Sequence, residues 1–119
     1  MPRFVIQRHK SRNLHWDFRL EQEGVLKSWA VPKGLSKKVG EKRLAIEVED
    51  HDLDYINFEG NIPKGSYGAG SVSIQDQGNY VIIKWKDDFI KIDLRGREFK
   101  GIYNLRKMSK DWLLWRDVE

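Results

Sequence analysis

The chain has 119 residues and a formal net charge of +4 at pH 7, with 39% hydrophobic and 34% charged residues, five Trp and no Cys. That length encloses one core, so a single domain over residues 1–119 is expected, and the aromatic content belongs to a folded chain. No apolar run approaches the roughly 20 residues of a membrane helix, and "MPRFVIQRHK" lacks a signal-peptide pattern, so the expectation is a cytoplasmic protein with no membrane partner. Without Cys there is no disulfide, thiol catalysis or thiolate metal site, which leaves His, carboxylates and water as possible metal ligands.

Taken in chain order, alternation and turn chemistry predict strands at Arg3 to His9, Leu14 to Glu21, Val25 to Val31, Leu44 to Glu49 and Ser71 to Gln75. Four more follow at Tyr80 to Trp85, Phe89 to Leu94, Gly101 to Leu105 and Trp112 to Arg116. The intervening "EGV", "PKG", "KVGEK", "DQGN", "KDD", "RGRE" and "SKD" read as turns. No amphipathic helix stands out. Short strands at this spacing predict an all-β protein, a small closed or nearly closed antiparallel barrel with its active site in a groove. The least regular stretch, "HDLDYINFEGNIPKGSYGAG" from His51 to Gly70, marks a candidate functional segment. Within it "GSYGAG" reads as a tight turn of small residues.

In "HWDFRLE" the parity is strict: Trp16, Phe18 and Leu20 point one way, His15, Asp17, Arg19 and Glu21 the other. The apolar side belongs to the core with Trp29, Trp85 and Trp112. With packing supplied there, exchange of Arg19 on the polar side is expected to leave thermal stability almost unchanged. All three histidines, His9, His15 and His51, lie at or beside strand ends, with Gln7, Asp17, Arg19, Glu47 and Glu49 on matching parities. Two imidazoles and a carboxylate, His9, His15 and Asp17, can hold a divalent ion with positions left open, and the donor set suits Mn²⁺ or Fe²⁺ as well as Zn²⁺. Arg19, two positions past Asp17, offers a planar fork to a phosphate.

Charge is distributed unevenly. Basic residues crowd "RHKSR" and "KGLSKKVGEKR", whereas Glu47 to Glu59 holds six acids and no Lys or Arg. A polyanion can lie along the first regions, although such runs are also ordinary solvated faces.

"FVIQRHKSRNLHWDFRLEQEGVLKSWAVPKG" and "RLAIEVEDHDLDYINFEGNIPKGSYGAG" together resemble the 3′-phosphoesterase domain of bacterial DNA ligase D, here as a free-standing minimal form. The likeness runs from about Phe4 to Gly70 and continues through "GREFKGIYNLRKM" and "WLLWRD". It implies a manganese-dependent enzyme, with Co²⁺ or Zn²⁺ as possible replacements, acting on the 3′ ends of DNA or of RNA–DNA primer-templates. A terminal ribonucleoside is removed to leave a 3′-phosphate, which is then hydrolysed to a 3′-OH. By motif position His9, His15 and Asp17 would be metal ligands, and Arg19 and His51 would hold the scissile phosphate with Lys33, Arg43 and Tyr55 nearby. Gln7 and Glu49 would be supporting or substrate-contacting groups, and Glu49 joins Arg19, His51 and Tyr55 in the catalytic set. The implied partners are a separate DNA ligase and polymerase. Two other readings remain: a non-catalytic nucleic-acid-binding barrel, which leaves the histidines unused, and an assembly module of a repair complex.

Overall fold

A computed structural model describes residues 1–118. Its strands are β1 (Arg3–Lys10), β2 (Leu14–Gln22), β3 (Val25–Val31), β4 (Arg43–His51), β5 (Gly60–Ile62), β6 (Gly70–Trp85), β7 (Phe89–Arg95), β8 (Lys100–Lys107) and β9 (Trp112–Arg116), with a 3₁₀ turn at Leu53–Asn57. The sheet order is β1-β2-β3-β4-β9-β8-β7-β6, and β1 pairs again with β6 to close an eight-stranded antiparallel barrel, with β5 added beside the start of β6. The expected fold class is therefore what forms, and closure leaves few strand edges unpaired. Among the described residues no helix is long and apolar enough to cross a membrane.

Alternate residues point into the barrel and fill it. Phe4, Ile6, Phe18, Leu20, Trp29, Val31, Tyr80, Ile92, Tyr103 and Leu114 belong to one continuous buried cluster, with Trp29 and Trp112 packed edge to face at 5.7 Å. Trp16 and Trp85, expected in the core, are only partly buried against it.

β6 corrects one expectation. "DQGN" does not turn: the chain runs through it as one strand of 16 residues, pairing first with β1 and then with β7. Asp76 is buried, and its carboxylate accepts the backbone N–H groups of Gln77 and Arg97 (both 2.9 Å), Glu98 (3.1 Å) and Phe99 (2.7 Å). It thereby ties the "RGRE" turn between β7 and β8 to β6. Glycine is required opposite it, because a Cβ at Gly96 would strike the Asp76 carboxylate, as one at Gly78 would strike the Arg95 carbonyl. Turn-forming letters are here serving a long-range clamp, which composition does not reveal. Asp76→Ala should lower unfolding free energy by about 2–3 kcal/mol in urea titration, the cost of stranding partly and fully buried N–H groups; an unchanged midpoint would show that the clamp is idle.

The outer face of β1–β3 corrects a second. Pairing of His9 with His15, Gln7 with Asp17, Val5 with Arg19, and Arg19 with Ser28 sets the polar residues of these strands side by side, opposite the barrel core. Asp17 and Arg19 are only 5% and 4% exposed, so this is a buried polar row and not an open groove wall. The segment after β4 folds back across it. A small apolar cluster of Val5, Leu26 and Ile56, with Tyr55 and Ile74 packed against it, fastens the 3₁₀ turn there.

Candidate active site

The β1–β2 hairpin brings the two histidines together, with ring centroids 4.7 Å apart. His9 Nε2 lies 2.7 Å from the Gly68 carbonyl, and His15 Nδ1 lies 3.1 Å from the Asn13 carbonyl. A carbonyl only accepts, so each of these nitrogens carries a hydrogen and donates. The other nitrogen of each ring faces Asp17: His9 Nδ1 is 3.3 Å from Oδ2, and His15 Nε2 is 3.3 Å from Oδ1. Two ring lone pairs aimed at carboxylate oxygens repel unless a cation is shared among them, either a proton on each imidazole or a metal ion. One donor atom from each of His9, His15 and Asp17 fits within a span of 4.8 Å. The residues therefore suit a divalent ion of mixed nitrogen and oxygen preference, with carbonyls orienting both imidazoles in the manner usual for metal-binding histidines.

Electrostatics agree with that arrangement. Hydrogen bonding to Asp17 raises the His15 pKa against the opposing effect of burial. Burial by itself would raise the Asp17 carboxyl, but the His15 hydrogen bond and the Arg19 charge outweigh it and hold the group below the ordinary carboxylate range. Asp17 is thus an anion at neutral pH, available to a cation.

Arg19 is fixed on three sides. Its Nε donates to Gln7 Oε1 at 2.7 Å, its Nη1 to Ser28 Oγ at 2.8 Å, and its Nη2 lies 3.4 Å from Asp17 Oδ2. Burial lowers its pKa, with Asp17 opposing, yet a guanidinium stays charged at any physiological pH. Of its five N–H groups about two remain for a ligand oxygen. An ion pair with Glu21, which would make Arg19 an ordinary surface cation, does not form, because the Glu21 carboxylate instead accepts the Arg3 backbone N–H at 2.9 Å.

His51, the last residue of β4, stacks on Tyr55 at 4.4 Å, Tyr55 stacks on Phe58 at 4.9 Å, and the Arg19 guanidinium lies over the Tyr55 ring at 4.9 Å. This joins His51 and Tyr55 to the Asp17–Arg19 group. Burial, then the Arg19 charge, lowers the His51 pKa, which makes the imidazole neutral at pH 7; burial raises that of Tyr55, which stays a protonated phenol.

The remaining expected residues are placed differently. Gln7 is fully buried, and its Nε2 donates to the carbonyls of Tyr55 (2.9 Å) and Phe58 (3.2 Å). In this structure its amide is thus engaged within the protein, where it locks the 3₁₀ turn to Arg19. Glu49 is exposed on β4 and reaches His51 through its charge alone. Arg43 donates from Nη1 to the Lys33 carbonyl (2.8 Å) and pairs from Nη2 with Glu41 (2.9 Å), and the Lys33 side chain is exposed. Neither residue touches the histidine cluster. Val31 pairs with Trp16, so the chain leaving β3 toward Lys33 passes the His15 end of β2, at the rim of the site. Sequence reading missed Ser28 and Gly68. Ser28 is a lone hydroxyl in "VLKSWAV", but its link to Arg19 depends on the β2–β3 register, and the Gly68 carbonyl contact needs the fold of a distant loop.

The barrel and this cluster define a β-domain that sets a His–His–Asp triad against a buried arginine. The chain belongs to the DNA ligase D 3′-phosphoesterase domain family, whose model matches residues 7–107. It is 48% identical over 118 residues to the multifunctional non-homologous end joining protein LigD of Mycobacterium bovis, covering 95% of this chain and 16% of that protein. Against the proteins of the same name from Mycolicibacterium smegmatis and Pseudomonas aeruginosa it is 44% identical over 126 residues and 43% over 122. The chain spans only 14–16% of the length of these relatives.

Proposed function

We propose that this domain heals the 3′ ends of nucleic acids in a manganese-dependent, two-step hydrolysis: removal of a terminal ribonucleoside, then of the 3′-phosphate it leaves. The observation that carries the reading is the convergence of His9 Nδ1 and His15 Nε2 on Asp17, with Arg19 beside them. Membership of a phosphoesterase family supports it. The substrates are DNA or RNA–DNA primer-template 3′ ends. The relatives are named for non-homologous end joining, and the working partners proposed here are a DNA ligase and a polymerase, in the cytoplasm.

His9, His15 and Asp17 would hold the ion, which when bound supplies a Lewis acid that withdraws charge from a phosphate and acidifies water. Arg19 directs its free N–H groups at a phosphate oxygen and offsets the charge that grows there during displacement. Gln7 and Ser28 keep its fork from rotating. A phosphate brought against neutral His51 favours the imidazolium, which gives its proton to the departing oxygen. That oxygen is O5′ of the nucleoside in the first step and O3′ of the strand in the second; water supplies the oxygen that joins phosphorus. Tyr55 holds His51 by stacking and donates from its phenol. Glu49 tunes His51, and Lys33 and Arg43 at the rim attract the strand's backbone.

A 3′-phosphorylated primer incubated with a panel of divalent ions tests the reading. Mn²⁺ should outperform Mg²⁺, because Mg²⁺ prefers hydrated all-oxygen octahedra, and Co²⁺ or Zn²⁺ should compete for the same donors. Full activity in Mg²⁺ after rigorous removal of manganese would sink the metal assignment. Binding without phosphate release in any ion would favour a non-catalytic barrel, and neither binding nor release an assembly module.

A further inference from the structure

We propose that Tyr67 is the nucleobase platform of this site, stacking on the base of the nucleotide that bears the 3′-phosphate; the inference rests on the end-healing reading above. Tyr67 is fully exposed, at 101%, whereas the next most exposed large hydrophobics, Val118 at 72% and Met1 at 69%, are at the ends of the chain. Among the described residues its ring has no stacking partner and its hydroxyl no hydrogen bond. A single exposed aromatic is commonplace. The position of this one is not.

Tyr67 lies at the tip of the β5–β6 hairpin, whose strands pair at Ile62 and Gly70 and whose tip is shaped by the bonds Ser66 N–H to Pro63 carbonyl and Ala69 N–H to Ser66 carbonyl, both 3.2 Å. The next residue, Gly68, gives the carbonyl that accepts from His9 Nε2 at 2.7 Å. Glycine is needed there: φ is +76°, and a Cβ would already stand 3.4 Å from His9 Cε1. The tip is thus pinned to a residue of the triad, and the phenol is carried one peptide unit, about 3.8 Å from Cα to Cα, from the pinned residue.

An exposed ring on an anchored tip is ready for a planar ligand with little ordering cost. The planar group present beside a 3′-phosphate is the base of its own nucleotide, and every base offers a π-face, so stacking suits an enzyme that must accept ends of any sequence. Lys64, exposed on the same tip, adds a cation for the backbone. Another exposed apolar pair, Ile82 and Ile83, lies in the far half of β6, which pairs with β7, and has no such relation to the triad.

The test is fluorescence anisotropy of a 5′-labelled oligonucleotide ending in a 3′-phosphate, without metal, against the same oligonucleotide with an abasic terminal nucleotide. Tyr67→Ala should raise Kd about tenfold for the base-bearing end, Tyr67→Phe should not, and all three proteins should bind the abasic end alike. Unchanged binding in Tyr67→Ala, or an equal loss on the abasic end, would overturn the proposal. The end-healing reading fails separately: wild-type protein that binds the 3′-phosphate end and releases no phosphate with Mn²⁺ removes that reading, while the Tyr67 comparison still decides the stacking.

Discussion

Asp17→Ala is expected to abolish both ribonucleoside removal and phosphate release, by more than about 100-fold each. Loss of a mere outer partner of a metal ligand already costs on the order of 10- to 100-fold, and Asp17 is the group toward which both histidines and Arg19 converge. The alanine variant also leaves Arg19 buried without its carboxylate, so Asp17→Asn is the companion: it keeps the shape and an acceptor oxygen while removing the charge. It should fold and be as inactive. Rates from 5′-labelled strands, one ending in a ribonucleotide and one in a 3′-phosphate, separate the two steps. If Asp17→Asn kept phosphate release and lost only nucleoside removal, one shared site could not be serving both reactions.

Arg19→Lys has the second largest expected effect, and it acts twice. The charge survives but the planar fork does not, so turnover of a 3′-phosphate strand should fall about tenfold or more, the scale of one charge-assisted contact of roughly 1.5–3 kcal/mol. The sequence led to the expectation that stability would hardly change. Burial of Arg19 at 4% exposure reverses it: a lysine cannot serve Gln7 Oε1, Ser28 Oγ and Asp17 together, and a buried acceptor left unpaired costs about 1–3 kcal/mol. A lowered urea midpoint together with the slower rate is the predicted signature. Wild-type turnover would reduce Arg19 to a structural cation.

One half of this site is legible in the sequence and the other is not, for reasons that differ residue by residue. The strict alternation of "HWDFRLE" by itself puts His15, Asp17 and Arg19 on one face, and a short hairpin from β1 makes His9 the cross-strand partner of His15. These are local relations of period two. Burial of that face is not legible, because it depends on what lies over it, and the cover is the irregular stretch after β4 whose 3₁₀ turn is held by Gln7. In the sequence Gln7 looks like a ligand-facing amide; only the return of Tyr55 and Phe58 shows where its donors go. β5 and the 3₁₀ turn escape the strand pattern because each is short and lies among Gly, Pro and Asn. Asp76 misleads for the same reason in reverse, reading as a turn residue when three of its four backbone partners lie more than twenty positions away in "REF", Arg97 to Phe99. The clearest cue that the sequence does expose is local and chemical: every histidine lies two positions from a carboxylate or amide of matching parity.

The most direct measurement is a time course on a 5′-labelled DNA strand ending in one ribonucleotide, annealed to a template, with the wild-type protein and Mn²⁺. The strand should first shorten to a 3′-phosphate species, which should then convert to a 3′-OH end. Both steps should stop on chelation of the metal and be absent in His9→Ala and His15→Ala. A strand that is bound and retarded on a native gel, yet neither shortened nor dephosphorylated in any divalent ion, would contradict the end-healing function.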